Sequence, residues 1–261
     1  MEEIYLICED SIEGIFTAIY DAYALKTDHD HTHILIGEVD NYHLFASYRN
    51  IMPDSVKTSK VIQTIMKRLG TETYLEFCRA LSTEHPEKGQ AVYKTVVSGI
   101  TEGCGRGVLG NRTDPDIGLI CKLSQSAWTE IHRMMEFIRF EELKQGILFA
   151  RISPKCNVIS FIMPHFADRM PLENFIIYDE KRGIFGVHPA KQTWYLKTGE
   201  EAFDKEKLSL SDREEGFQDL FTMFCRQIAI KERTNKVLQR QMLPLKYRDY
   251  MVEFTGSAGK Y

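Results

Sequence analysis

Apolar residues recur along this chain with two periods, and the switches between them outline the elements. Ile4 to Cys8 forms a short strand-like run, and Ser11 then takes a helix N-cap position ahead of Ile12, Ile15, Phe16, Ile19 and Tyr23 at helical spacing. HILIGEV and HLFASY read as two further short β segments. VKTSKVIQTIMKRLG, TYLEFCRALS and AVYKTVVSGI read as successive helices set apart by Gly and Pro. After the turn-rich stretch GCGRGVLGNRTDPD, the spacing of Ile117, Ile120, Leu123, Ala127, Ile131, Met134 and Met135 predicts a long helix from Pro115 to about Phe137.

Beyond that helix the period shortens. Strands are expected near Ile138 to Leu143, Ile147 to Ile152, Phe175 to Asp179, Gly183 to His188 and Thr193 to Leu196, with one helix, Asn157 to Met170, among them. The turn Asp179-Glu180-Lys181-Arg182-Gly183 is short enough for a hairpin, which favours antiparallel pairing. Ser211 with Glu214 has the letters of a capping box, and Phe217, Leu220, Phe221, Phe224 and Ile228 give the following helix an apolar face. The expected fold is α+β, with a helical middle region and with an antiparallel sheet and packed helix in the C-terminal half. Residues 1–112 are expected to form an N-terminal strand-helix and helical region. Residues 113–261 carry the long helix, the sheet and a C-terminal basic helix, and the two regions are compatible with one continuous domain.

With 261 residues and 43% apolar side chains the chain can fill a core without covalent staples. Six scattered cysteines lacking a Cys-x-x-Cys pair point to reduced thiols, not to a zinc ribbon, a disulfide framework or an iron–sulfur site, so no cofactor is expected. Met1 leads into Glu2 and Glu3 and then a short apolar run, without the basic flank and apolar length of a secretory signal, so a cytoplasmic location is expected. No apolar run reaches the roughly 20 residues that span a bilayer, and no membrane partner is expected.

A formal net charge of -4 gives no overall attraction to nucleic acid, but the C-terminal segment CRQIAIKERTNKVLQRQMLPLKYRDY reverses that sign locally. Lys231, Arg233, Lys236, Arg240, Lys246 and Arg248 are its candidate phosphate contacts, with Tyr247 and Tyr250 available for stacking. A solvated helical face is the plainer account of the same residues. His165 and Asp168 lie three apart, so on a helix they share a face and could move a proton. The alternative is that Asp168 and Arg169 anchor the helix through neighbours such as Arg151 or Glu141. Arg139, Arg151 and Arg169 complete a candidate polar pocket around that pair. His29, His31 and His33 would face one side of an extended strand, a metal-compatible spacing, although a polar loop is the preferred reading and no metal is expected. Gly105 to Gly110 matches GxGxxG but follows a helix, where a dinucleotide loop would follow a strand.

Four blocks carry a family likeness: SIEGIFTAIYDAY, FIRFEELKQGILFARISP, PHFADRM followed by FIIYDEKRG, and ERTNKVLQRQMLPLKYRDYMVEF. Through them the chain resembles, over nearly its whole length, a bacterial domain-of-unknown-function family described as DNA metabolism and DNA repair proteins. Its members are typically encoded beside a radical S-adenosylmethionine (SAM) protein, and some relatives are fused to a uracil-DNA glycosylase-like domain. The likeness implies an accessory that binds DNA, a radical SAM partner, or both, with the iron–sulfur cluster in that partner. An enzyme acting on a flipped base through His165 and Asp168, and a protein-only adaptor, are the alternatives. The chain departs from the family pattern at Cys8, Glu9 and Asp10, at Lys236 and at Arg248, the last standing where an aromatic residue is usual.

Overall fold

The computed structural model describes residues 3–26, 28–38, 42–101, 103–199 and 209–255. They fall into two compact units, Met1–Thr129 and Glu130–Tyr261.

In the first unit, β1 (Glu3–Cys8) runs at the centre of a three-stranded parallel sheet, with β2 (Thr32–Ile36) on one side and β3 (Ala46–Asn50) on the other. Helix α1 (Ile12–Ala24) supplies the crossover that a parallel β1–β2 pair requires. Its N-terminus is set by Ser11, whose Oγ accepts from Gly14 N at 2.9 Å. Gly14 is needed there because a Cβ would stand 2.8 Å from the Glu9 carbonyl oxygen. β3 begins three residues later than HLFASY suggested, since Phe45 takes φ +65° in a turn and leaves Leu44 and Phe45 in solvent.

α2 (Ser55–Arg68), α3 (Thr71–Leu81) and α4 (Lys88–Ile100) form the expected helical middle region. Leu6, Phe16, Ile34, Ile65, Phe77 and Tyr93 lie in its core, each at most 1% exposed. Burying side chains of that size stabilises by roughly 1.5–3 kcal/mol each before entropy is charged against it. On the opposite sheet face the rings of Tyr48, Tyr5 and His33 stack across all three strands, with centroids 4.9 and 4.8 Å apart. Gly105–Gly110 is a short 3-10 helix following α4, not a loop between a strand and a helix.

α5 (Pro115–Phe137) matches its predicted span, and the boundary between the units falls inside it. The second unit is built on a five-stranded sheet in the order β4 (Glu141–Glu142), β5 (Leu148–Ile152), β6 (Phe175–Asp179), β7 (Ile184–His188), β8 (Tyr195–Thr198). Three neighbouring pairs are antiparallel, as expected, and the Asp179-to-Gly183 turn closes the β6–β7 hairpin. The exception is β5–β6, which is parallel because α6 (Ile159–Arg169) carries the chain back across the sheet. α6 rests on β7 at one tight point, where Met163 lies over Gly186.

Ser211 opens α7 (Asp212–Ile228), accepting from Glu214 N at 3.0 Å. Only that half of the capping box forms. The Ser211 N–H donates to the Glu142 carbonyl, and the Glu214 carboxylate accepts from Gln218 instead. The apolar face of α7 stays open, with Phe217, Leu220, Phe224 and Ile228 all more than half exposed. A 3-10 turn (Lys231–Arg233), α8 (Lys236–Met242), a second 3-10 turn (Leu245–Tyr250) and α9 (Val252–Thr255) finish the described chain. Among the described residues no helix is long and apolar enough to cross a membrane.

Candidate nucleic-acid interface

The C-terminal cations divide into two sets. Arg233, Lys236 and Arg240 are exposed, and Lys236 and Arg240, four apart on α8, share a face. Val237, Leu238 and Met242, each more than half exposed, lie among them. α8 is itself positioned by Asn235, whose side chain caps Leu238 N at 3.0 Å.

Lys246 and Arg248 are engaged by the protein. Arg248 donates to the carbonyls of Gln239 and Leu243 at 2.9–3.2 Å and lies 4.7 Å from the Phe254 ring centroid, so it closes the C-terminus of α8. Its cation sits where a helix dipole favours positive charge. This gives the departure at position 248 a structural role. Lys231 lies in the 3-10 turn, and its side chain is outside the described residues.

Lys246 donates to Glu130 Oε1 at 2.6 Å. Glu130 projects from α5 and is 5% exposed, and its carboxylate also accepts from Lys155 N at 3.1 Å and Cys156 N at 2.7 Å. Burial alone would raise the Glu130 pKa, but Lys246 and the two backbone N–H groups outweigh it and hold the carboxyl below its ordinary value. Burial would likewise lower Lys246, and Glu130 turns that into a net rise. The buried Cys156 thiol beside them is pushed up to about 12, by burial first and by Glu130 second, and stays protonated.

Lys246 also borders a small cleft with Arg151, Ser153, Tyr247 and Tyr250 on its polar side and Met134, Phe137, Ile138 and Ile152 behind. Tyr250 donates to Glu180 Oε2 at 2.7 Å, and its pKa is pushed up to about 12 by burial and then by that carboxylate. Tyr247 is 5% exposed, and its hydroxyl has no hydrogen-bond partner among the described residues. The Lys246 ammonium lies over the Tyr247 ring, 4.6 Å from its centroid.

The remaining candidates are dispersed. Arg139 is tied to Glu253 at 3.1 Å and to nearby carbonyls. His165, Asp168 and Arg169 sit on the exposed side of α6 and do not line the cleft. His165 makes an edge contact with Phe166, and among the described residues no hydrogen bond joins it to Asp168. Of the proposed pocket arginines only Arg151 reaches the cleft, which it shares with Lys246 from the basic segment. Glu130 and Ser153 carried no local signal, because their importance depends on which segments they face.

The three histidines are held within the first unit. His31 and His33 share Glu3, each 2.7 Å from one of its oxygens, and their hydrogen bonds lower the Glu3 pKa. His29 instead meets the Tyr93 hydroxyl at 2.7 Å. Among the described residues no group of three or more His, Cys, Asp or Glu side chains is arranged to hold a metal.

Fold and side-chain placement together define an α+β protein whose second unit combines a basic, partly apolar C-terminal surface with a small polar cleft. The chain belongs to the family described as Domain of unknown function (DUF4130), which matches residues 86–253, more than half its length and inclusive of the cleft and α8. No curated protein matches it.

Proposed function

We propose that this protein is a DNA-metabolism or repair accessory that binds nucleic acid through its C-terminal unit and works with a radical SAM enzyme. The observation that carries the binding reading is the survival of Arg233, Lys236 and Arg240 as exposed cations around α8 after Lys246 and Arg248 are engaged internally. Phosphate contacts need accessible cations, and the neighbouring apolar side chains offer surface to unstacked bases. The radical SAM partner enters through the family likeness alone, and any iron–sulfur cluster belongs to it.

Fluorescence anisotropy with a labelled single strand across a salt series tests the binding. Three phosphate contacts correspond to a log–log salt slope of about -2 for single strands. Arg233→Glu with Arg240→Glu should weaken binding steeply and flatten that slope by more than half. A salt-independent affinity, or one indifferent to both reversals, would remove the nucleic-acid reading. Co-purification with the neighbouring radical SAM protein tests the partner, and its failure under gentle salt would remove that half of the proposal.

A further inference from the structure

The first unit holds a recess that the proposed function does not use. It lies among α1, α2 and α4 and has a volume of about 230 Å³. Its lining reaches Ile19 from α1, Ile65 from α2 and Val96 from α4, each at most 2% exposed. Tyr23 and Ile100 wall it, and the surface it presents is almost wholly carbon. Two of its hydroxyls are engaged, Tyr23 with Thr101 Oγ1 at 3.4 Å and Thr64 as donor to the Lys60 carbonyl at 2.7 Å. Water needs two to four polar partners and is poorly held in such a space, whereas an apolar cavity of about 150 Å³ accepts benzene. The recess is about half as large again, which suits one ring with a short chain, or an alkyl chain of similar bulk.

Lys60 is the one charged side chain among the lining residues, and with Thr64 it marks the exposed mouth. Its ammonium stands 5.5 Å from the centroid of the Tyr20 ring, and among the described residues it has no ion pair. Lys57, which faces the same ring at 5.8 Å, differs, because Asp21 takes its ammonium with both oxygens at 2.7 and 3.0 Å. Asp54, the other acidic group beside Lys57, caps α2 by accepting from Val56 N and Lys57 N. An anionic group at the mouth therefore meets a cation with no carboxylate in contact.

We propose that this recess binds a small apolar carboxylate, with its hydrocarbon against Ile19, Ile65 and Val96 and its carboxylate on the Lys60 ammonium. Burial of the hydrocarbon supplies most of the affinity, since that term scales with the apolar area removed from water. The ion pair forms in solvent and contributes up to about fivefold, and it fixes which end of the ligand enters. The space admits one ring or one short chain, the scale of a small molecule. Its exposed lining residues, Lys60 and Thr64, are polar, which sets it apart from an apolar docking face.

Ligand-observed NMR titration of the intact chain with 3-phenylpropionate, octanoate and the two matching alcohols tests this. Dissociation constants of about 1 mM are expected, the scale of an efficient ligand of about ten heavy atoms. Lys60→Gln, at an exposed position, should weaken both carboxylates about threefold and leave the alcohols unchanged. Thr64→Trp, also at an exposed position, sets an indole against the recess and should abolish binding of all four probes. An unchanged urea midpoint checks that each variant is folded.

Saturable binding with both responses supports the site, and the tighter of the two carboxylates reports whether a ring or a chain fills it. No saturable binding at about ten times the expected dissociation constant overturns the proposal. Binding that survives Thr64→Trp lies elsewhere and overturns it too, as does a carboxylate affinity unmoved by Lys60→Gln, or binding of the alcohols alone. A concentration-dependent dimer that Thr64→Trp dissolves, with no probe bound, overturns it in favour of a second copy of the chain. The nucleic-acid reading is tested through Arg233 and Arg240 and stands or falls separately.

Discussion

Glu130→Ala should cost the second unit about 3–4 kcal/mol. The carboxylate is 5% exposed and joins three separated segments: α5 through its own backbone, the Lys155–Cys156 loop through two N–H groups, and the C-terminal 3-10 turn through Lys246. Truncation leaves the two backbone donors short of an acceptor, at about 1–3 kcal/mol each. Lys246 adds less, because its side chain is 40% exposed and rehydrates. In urea, with a slope of about 2 kcal/mol/M, the loss corresponds to a midpoint lowered by about 1.5–2 M for the transition of that unit.

Glu130→Gln keeps one acceptor oxygen and should lose about half as much. It should also change the response to acid. The folded pKa of Glu130 lies below its ordinary value, so its contribution is complete above the ordinary carboxylate range and fades as pH falls through the depressed folded value. The difference in stability between wild type and Glu130→Gln should therefore shrink on acidification below about pH 4.5. Equilibrium unfolding at pH 7 and down to pH 3 reads both effects. A Glu130→Ala protein within about 1 kcal/mol of wild type, or a wild-type-to-Gln difference that stays constant in acid, would refute the bridging role.

Asp179 is fully buried at the end of β6 and pairs with Arg182 at 3.0 Å, while Arg182 also donates to the carbonyls of Pro154 and Lys155. Asp179→Ala removes the carboxylate partner of that guanidinium and should lower stability by about 3 kcal/mol in denaturant titration at pH 7. Burial raises the Asp179 pKa despite Arg182, so the sign is opposite to that of Glu130. Its titration favours the fold below its ordinary pKa, and that contribution is lost as pH rises through the raised folded value. Asp179→Asn should remove this dependence. Gly186→Ala would force a Cβ into Met163, which is fully buried beneath it, and should cost about 1–3 kcal/mol. A double-mutant cycle with Met163→Ala should show about 1 kcal/mol or more of coupling, and strict additivity would rule out the clash.

Most elements were legible because their determinants are local. Pro115 and the 3.6-residue recurrence of apolar side chains mark α5 from its start to about Phe137, and the Ser11 and Ser211 caps open α1 and α7 as read. β3 was displaced because the positive φ of Phe45 left no mark in a run of apolar letters. The parallel pairings β1–β2, β1–β3 and β5–β6 depend on where the connecting segments return the chain, which periodicity does not encode.

The candidate site was legible only in part. Clustered basic letters located α8, but they did not separate Arg233, Lys236 and Arg240 from Lys246 and Arg248. Free and engaged cations have the same sequence signal and differ only in what faces them. The sequence by itself determined the α+β class, the span of α5, the N-termini of α1 and α7 and the local charge reversal, since these follow from spacing, capping and composition within a turn or two of chain. Tertiary structure alone decided that Glu130 meets Lys246, 116 positions away, and that Arg151, Tyr247 and Tyr250 border one cleft. Such meetings are fixed by how the sheet, helices and turns pack, and a desolvated contact between distant segments has no counterpart in the pattern of either one.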